Sequence, residues 1–330
     1  MINSIPFSIP TEFAAGLNDG SLVRIGTLIK ETGTGKIIAH VQETGLGQHL
    51  LNGVGASPFS PLTLASTGYA NVQLEQLKSM MEGLQILQYA NLGVSLAGIG
   101  VSSIGFAIIN KKLKNIGIQI SDLSKKMDQH FQDLIENDLR EHYSKVATLF
   151  EKAELAHELT NSTDEWKEVS SQLADESGFF RGRIERLLEH NKFDMNLFTA
   201  FVRYLTLCNA GRIECLLLAD ELPAAHKAAD MVGHNYKDLF DDIVPFQIAR
   251  KLAQNETSKN TMHYRKIRQH QKTTTNDLVQ GIRDITDAAL TKPLLIKSLI
   301  ENNIAGSDYI SALRNEKEHP LLLLRHKGNE

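Results

Sequence analysis

The chain has 330 residues, of which 22% are charged and 42% hydrophobic, and its net charge is −4. This composition is typical of a globular protein of about two domains and excludes wholesale disorder. The mild negative charge argues against nucleic-acid binding driven by bulk charge. The two cysteines, Cys208 and Cys215, exclude a disulfide scaffold and a multi-cysteine zinc site.

The N-terminal sequence MINSIPFSIPTEF lacks a basic stretch followed by an apolar one, so we expect no cleaved signal peptide and a cytoplasmic protein. A short helix is predicted over 11–17, with Thr11 as its N-cap. LVRIGTLI and IIAHVQET then flank a Gly-Thr-Gly turn, which predicts a β-hairpin with strands over 22–29 and 37–44. The Gly/Ser/Thr/Pro-rich sequence over 45–68 indicates an ordered loop or linker.

The turn sequence GTGK over 33–36 is similar to the end of a phosphate-binding loop. The full pattern also needs a glycine five residues before Gly35, and Ser or Thr after Lys36. Lys30 and Ile37 occupy those positions. We therefore favour a hairpin turn over a nucleotide-phosphate site.

Helical spacing begins near Asn71 and continues to about Leu159. The later part carries an apolar seam at three- and four-residue intervals, interrupted by His130. Such a seam is typical of a coiled coil or a long packed helix, and we expect it to drive self-association. The seam residues are Leu113, Ile116, Ile120, Leu123, Met127 and Leu134.

A break is predicted at 161–164, with Trp166 just inside the next helix. Residues 165–252 are predicted to be helical, with ends or kinks at Gly178, Gly211, Gly233 and Pro245. The polar sequence over 253–276 predicts a loop or an exposed helix, and separate helices are expected over 276–290 and 294–302, on either side of Lys292-Pro293. Leu321 to Leu324 are expected to pack back as a strand or a short helix.

These elements predict a mainly α fold, a long helical hairpin or coiled-coil bundle with a small N-terminal β-hairpin. The expected division is a β-containing region over 1–70, long helices over 71–160 and a C-terminal helical module over 161–330. No catalytic fingerprint of the G-x-S-x-G, H-E-x-x-H or G-x-G-x-x-G kind occurs. We therefore expect a non-enzymatic protein with no cofactor and no metal.

Several other residues have both a functional and an ordinary interpretation. Cys208 and Cys215 are seven apart in a helical stretch, too far for a disulfide, and are expected to be buried. His226 and His234 share a helical face with nearby aspartates, but no third ligand supports a metal site. A basic cluster could contact phosphate, although a solvated loop is favoured. It comprises His263, Tyr264, Arg265, Lys266, Arg268, His270 and Lys272.

One long segment carries no charge. Glu82 and Lys111 bracket 28 residues without Asp, Glu, Lys or Arg, and residues 92–109 are all apolar, Gly or Ser. As a helix, 92–109 would be about 27 Å long, close to the thickness of a bilayer core. Its small residues favour the close helix contacts of membrane proteins. The candidate membrane-insertion residues are Leu92, Gly93, Leu96, Gly98, Ile99, Gly100, Val101, Ile104, Gly105, Phe106, Ile108 and Ile109.

Lys111, Lys112 and Lys114 follow at once and would form the basic membrane edge. By the positive-inside rule they would stay cytoplasmic, which puts the N-terminal region outside. Constitutive spanning would require the β-containing region to cross without a cleaved signal. A protein that inserts on a trigger avoids this, and so does a helix that is hidden in an oligomer until activation. The alternative is a soluble helix buried in a bundle or oligomer.

Residues 84–135 combine an amphipathic helix, a Gly/Ser-rich hydrophobic segment and a coiled-coil helix. This pattern covers about a sixth of the chain and resembles α-helical pore-forming toxins and bacterial membrane effectors of phage-defence and toxin systems. The resemblance implies a non-enzymatic, membrane-active effector that associates conditionally with the inner membrane. Expected partners are further copies of the chain, a lipid bilayer and a regulatory protein, but not nucleic acid. The alternative is a soluble coiled-coil interaction or scaffold protein.

Overall fold

A computed structural model describes residues 13, 15–16, 19–25, 28–43, 129–189, 193–254, 262–316 and 321–325. The described chain is mainly α-helical with a small antiparallel sheet, which confirms the predicted fold class. Its helices are α1 (Gln129–Leu155), α2 (Ser162–Glu189), α3 (Met195–Leu218), α4 (Leu222–Phe240), α5 (Pro245–Gln254), α6 (Met262–Glu301) and α7 (Gly306–Asn315). Its strands are β1 (Leu22–Ile25), β2 (Leu28–Glu31), β3 (Ile37–Glu43) and β4 (Leu321–Arg325).

The sheet has the order β1-β2-β3-β4, and each neighbouring pair is antiparallel. The prediction of one strand over 22–29 is wrong, because β1 folds back on β2 with Ile25 opposite Leu28. The predicted turn is confirmed: Gly35 has a φ of +69° and its N–H donates to the Glu31 carbonyl at 2.8 Å. β4 covers the edge of β3, so the C-terminal strand joins the N-terminal sheet.

The predicted break between the first two long helices is confirmed. A 3₁₀ turn over Ala156–Glu158 follows α1, and α2 begins at Ser162. The Trp166 indole N–H donates to the Ala153 carbonyl at 3.1 Å, which ties the start of α2 to α1. The main core continues through helices on both sides of this break.

α3 is the central helix, with buried side chains on all its faces. Asp194 caps its first turn by accepting from the Leu197 N–H at 2.9 Å. α3 packs mainly against α2 and also contacts α1, α4 and α7. Cys208 and Cys215 lie on it, buried and free, as predicted.

The prediction that helices end at three glycines is wrong, because Gly178, Gly211 and Gly233 lie inside helices. Two of them permit close packing. A Cβ on Gly211 would lie 2.6 Å from the Phe150 ring, and one on Gly233 would lie 3.0 Å from the Leu290 Cα. Pro245 does mark a boundary, since α5 begins there.

The prediction of separate helices over 276–290 and 294–302 is also wrong. α6 is one helix of 40 residues with Pro293 inside it. Leu295, Ile296 and Leu299, which follow the proline, are each at most 1% exposed. Pro293 has no backbone N–H to donate within the helix. Burial of these side chains keeps the helix continuous despite the missing hydrogen bond.

No sequence pattern predicted α7. Its start packs directly on the end of α3, where a Cβ on Gly306 would lie 2.3 Å from the Leu217 carbonyl oxygen. The Asp220 carboxylate accepts from the Ser307 N–H at 2.9 Å and from its hydroxyl. The two residues of this capping interaction are 87 positions apart in the sequence, so no local sequence pattern predicts it. β4, in contrast, confirms the strand alternative for Leu321 to Leu324.

Candidate functional site

The membrane-insertion residues predicted from the sequence lie outside the described residues, as do Lys111, Lys112 and Lys114. The same holds for the seam from Leu113 to Met127. Leu134 lies within α1. Among the helices that the structure describes, none is both long and apolar enough to cross a membrane.

The first polar site in the described core surrounds Glu176 of α2, whose side chain is 1% exposed. Its two oxygens contact His142 Nδ1 at 2.7 Å and Lys145 Nζ at 2.6 Å, both from α1. The hydrogen bond to Glu176 raises the pKa of Lys145. A buried carboxylate is costly unless it is paired, so this contact fixes α1 against α2.

An aromatic stack continues the same site. The His142 ring lies 3.5 Å from the Phe179 ring, centroid to centroid, and the Arg183 guanidinium lies 5.0 Å from that ring. Nearby, a shallow groove of about 510 Å³ has described lining residues that all come from α1, including Lys145 and Arg140. Binding sites are more often concave and built from several elements, so this groove has no strong mark of an active site.

The second polar site surrounds Glu214 of α3, also 1% exposed. Arg314 of α7 donates to its Oε1 at 2.8 Å, while Oε2 is buried without a hydrogen-bond partner among the described residues. Burial raises the pKa of Glu214 to about 7, against the opposing charge of Arg314. Burial also lowers the pKa of Lys292. Glu214 therefore sits near the balance between its charged and neutral forms at neutral pH.

Arg314 connects this site to the end of α1. Its Nη1 lies 3.2 Å from His157 Nε2. Burial, followed by the charge of Arg314, lowers the pKa of His157. This cluster of Glu214, Arg314 and His157 therefore joins α3, α7 and the 3₁₀ turn through charged groups rather than through apolar packing alone.

A third feature is the outer face of α5. Ile248 and Leu252 pack into or against the core, whereas Phe246 and Arg250 lie on the opposite face. Phe246 is 66% exposed, more than any other large apolar residue among those described. Such an exposed aromatic side chain is the kind of feature that marks interaction surfaces.

None of these groups forms a recognisable catalytic centre. Burial raises the pKa values of the Cys208 and Cys215 thiols, which disfavours the reactive thiolate. In the described ranges, no three His, Cys, Asp or Glu side chains are placed to hold a metal ion. His234 Nδ1 lies 2.9 Å from the Asp230 carbonyl of its own helix, as expected of an ordinary surface histidine.

Comparison with known proteins yields no family model, curated protein or solved structure that matches the chain. Sequence reasoning missed both Glu176 and Glu214. For Glu214 a signal existed, since it is the one acidic residue in the apolar run IECLLL, where a charge must be paired or neutralised.

Proposed function

We propose that the protein is a non-enzymatic, membrane-active helical effector. In this proposal a cytoplasmic protein associates with the inner membrane on a trigger, inserts residues 92–109 and perturbs or perforates the bilayer, in the manner of toxin or phage-defence effectors. The observation that carries the proposal is the run of 28 residues without a formal charge. Lys111, Lys112 and Lys114 hold its headgroup edge.

The described helices support this proposal because they form a stable body that can carry an inserting segment. α1 to α7 bury a contiguous apolar core made of their own side chains. The Glu176 and Glu214 sites tie α1 to α2 and α3 to α7. A body that is stable through its own contacts can stay folded while another segment of the chain moves.

The sheet restricts how the chain can meet a membrane. β3 precedes the uncharged segment and β4 follows it, yet the two strands pair along Ala39–Glu43 and Leu321–Arg325. Lys30 of β2 also contacts Asp287 of α6. A single crossing between β3 and α1 would put paired strands on opposite sides of the bilayer. The orientation with the N-terminal region outside therefore requires the sheet to open, whereas an intact sheet keeps both ends of the segment on one side.

A soluble scaffold that binds a partner protein is the second candidate. Leu155, the last residue of α1, is 64% exposed, and Leu159, which follows the 3₁₀ turn, is 50% exposed. Exposed apolar side chains close together in sequence favour a protein contact. This function needs no lipid.

Liposome flotation with dye release separates the two functions. The test variant is Ile99→Asp/Ile104→Asp, because a charge at the bilayer centre costs at least about 2.5 kcal/mol per residue. The matched control is Leu294→Asp/Ile300→Asp, which likewise replaces two aliphatic side chains by aspartate, at positions on α6 that are 40% and 39% exposed. Far-UV circular dichroism verifies that each variant folds.

The effector proposal predicts that wild type and control float with liposomes and release dye, while the folded test variant does not. If wild-type protein stays soluble and inert, the effector proposal is wrong and the scaffold is favoured. A further variant, Gly98→Leu/Gly100→Leu, tests close helix contact in the membrane. Dye release that survives this change would exclude contact through these glycines.

A further inference from the structure

We infer that the pair of Glu214 and Arg314, here called the α7 latch, holds α7 and β4 on the rest of the fold and opens when Glu214 loses its proton. It rests on the proposed function, for which it supplies the trigger: the latch opens before residues 92–109 insert. The side chains of both residues are described. They come from α3 and α7 and are 100 positions apart in the sequence.

The Glu214 carboxylate has a poor environment for a negative charge while the latch is closed. It is 1% exposed, and Arg314 donates to its Oε1 at 2.8 Å. Oε2 is buried without a hydrogen-bond partner among the described residues. Water would solvate both oxygens of a carboxylate, so burial with a partner on one oxygen costs more for the charged form than for the neutral acid. The closed latch therefore favours the protonated form.

The charged neighbours of Glu214 do not reverse this preference. Arg314 and Lys292 favour its negative charge and Glu154 opposes it, but burial has the largest effect and raises the pKa to about 7. In the described chain, α2 and α4 contribute none of the charged groups that shift this pKa. The titratable groups that face Glu214 are Arg314 and Tyr309 of α7, Lys292 of α6, Glu154 of α1 and Cys215 of α3. Burial raises the pKa values of the tyrosine and the cysteine, so both stay neutral near pH 7.

α7 covers the carboxylate. Its first residue, Gly306, lies directly on the Leu217 carbonyl, and its last turn brings Arg314 to Glu214. α7 therefore lies along the part of α3 that carries the carboxylate, and its departure admits water to Glu214. A helix of ten residues is unstable alone, so α7 depends on this contact. Because the open site holds the proton less tightly than the closed site, loss of the proton shifts the equilibrium towards opening.

His157 has the opposite pH dependence. Its Nε2 lies 3.2 Å from Arg314 Nη1. Burial, followed by the charge of Arg314, lowers the His157 pKa, while Glu154 and Glu158 raise it. Protonated His157 places a second cation beside Arg314 and weakens the contact of α7 at acidic pH. The pKa of Glu214 is displaced further from its ordinary value, so Glu214 decides the sign.

Release of α7 also loosens β4. β4 begins at Leu321, six positions after Asn315 ends α7, and it is an edge strand that pairs only with β3 in the described sheet. Without α7, this pairing alone holds β4 in place. β3 ends at Glu43, ahead of the uncharged segment. Departure of β4 from β3 opens the sheet, which is the step that a single crossing by residues 92–109 requires.

Hydrogen exchange of the full chain without lipid measures the opening directly. In wild type, the protection of α7 amides, corrected for the intrinsic pH dependence of exchange, should fall about tenfold per pH unit between about pH 5 and 7 and then level off. Amides of β4 should follow, whereas amides in the middle of α2 should not. Glu214→Gln should keep α7 protected across the range, because glutamine does not titrate and has nearly the shape of the neutral acid.

Two further variants test the assignment to Glu214. Glu185→Gln makes the same substitution at an exposed carboxylate of α2 and should retain the wild-type profile. His157→Gln removes the opposing group and should steepen the fall in protection at acidic pH. Protection of α7 that is independent of pH, or that rises with pH, overturns the latch. A fall that Glu214→Gln retains also overturns it.

Dye release from vesicles of phosphatidylethanolamine and phosphatidylglycerol separates the latch from the proposed function. Wild type should release dye faster at about pH 7.5 than at about pH 5, and Glu214→Gln should lose this difference. A Gln42→Cys/Leu322→Cys disulfide, which ties β4 to β3, should suppress release at both pH values when oxidised.

Each combination of results decides between the two claims. If exchange shows the opening but no dye is released at either pH, the latch stands and the effector proposal fails. If dye is released and α7 protection does not depend on pH, the effector proposal stands and the latch is wrong. If exchange shows the opening but dye release is equal at both pH values, the latch is not the trigger and this inference is overturned.

Discussion

Replacing Glu214 by Gln should remove a pH dependence from the stability of the protein. In the folded state burial raises the Glu214 pKa to about 7, whereas its ordinary value is 4.5. The folded protein therefore holds this proton more tightly than the unfolded chain does. The stabilisation that comes from this proton is complete below the Glu214 pKa of the unfolded chain, and it is lost as the pH rises through about 7.

The size of the effect follows from the difference between the two pKa values. At about 1.4 kcal/mol per pKa unit, the contribution of Glu214 to the free energy of unfolding falls by about 3 kcal/mol between acidic and mildly alkaline pH. Glutamine is nearly the same shape but does not titrate. The difference in unfolding free energy between wild type and Glu214→Gln should therefore change by about this amount across the range.

Urea unfolding at a series of pH values measures this difference, with fluorescence of the buried Trp166 as the signal. The control is Glu185→Gln, the same substitution at an exposed carboxylate that pairs with Arg181 on α2. A difference that stays constant with pH would show that Glu214 does not titrate as described. A difference of opposite sign would show that the pair with Arg314 outweighs the burial of the carboxylate.

Three further predictions concern packing and topology. Gly211→Ala should destabilise the fold by about 1–3 kcal/mol, because its new methyl group would meet the Phe150 ring at 2.6 Å. Gly178→Ala should instead stabilise it by about 0.5–1 kcal/mol, because no heavy atom lies within 4 Å of the new Cβ and alanine favours the helix; urea unfolding measures both, and equal effects would refute the packing argument. A Gln42→Cys/Leu322→Cys disulfide should join β3 to β4, whose residues face each other there. If the segment inserts with both of its ends on one side of the bilayer, the oxidised protein should release as much dye as the reduced protein. A loss of release on oxidation would show that insertion requires the sheet to open.

Much of the helical architecture could be predicted from local sequence. The break before α2, the position of Trp166 and the burial of both cysteines depend on caps and on apolar spacing within a few residues. The hairpin turn at Gly35 was predictable for the same reason, since glycine tolerates the positive φ that such a turn requires. In these cases the deciding interactions lie between near neighbours in the chain.

Other features depend on contacts between distant residues. Pro293 and Gly211 are unfavourable in isolated helices, yet each lies inside one, because packing against the core outweighs local propensity. The run over 22–29 has the composition of one strand, but the pairing of β1 with β2 divides it. The local preference of a residue for helix or strand is worth about 1 kcal/mol or less, except at proline. Burial of a side chain in the core can contribute more than this.

The polar sites show the same limit. Glu214 meets Arg314 across 100 positions, and Glu176 meets His142 across 34. Nothing in a single sequence pairs one glutamate with one arginine among 39 acidic and 35 basic side chains. The sequence by itself determines where charge is missing, as in the uncharged segment, because hydropathy is a property of the residues alone. Only the tertiary structure decides which charges are buried together, because burial depends on how distant helices pack.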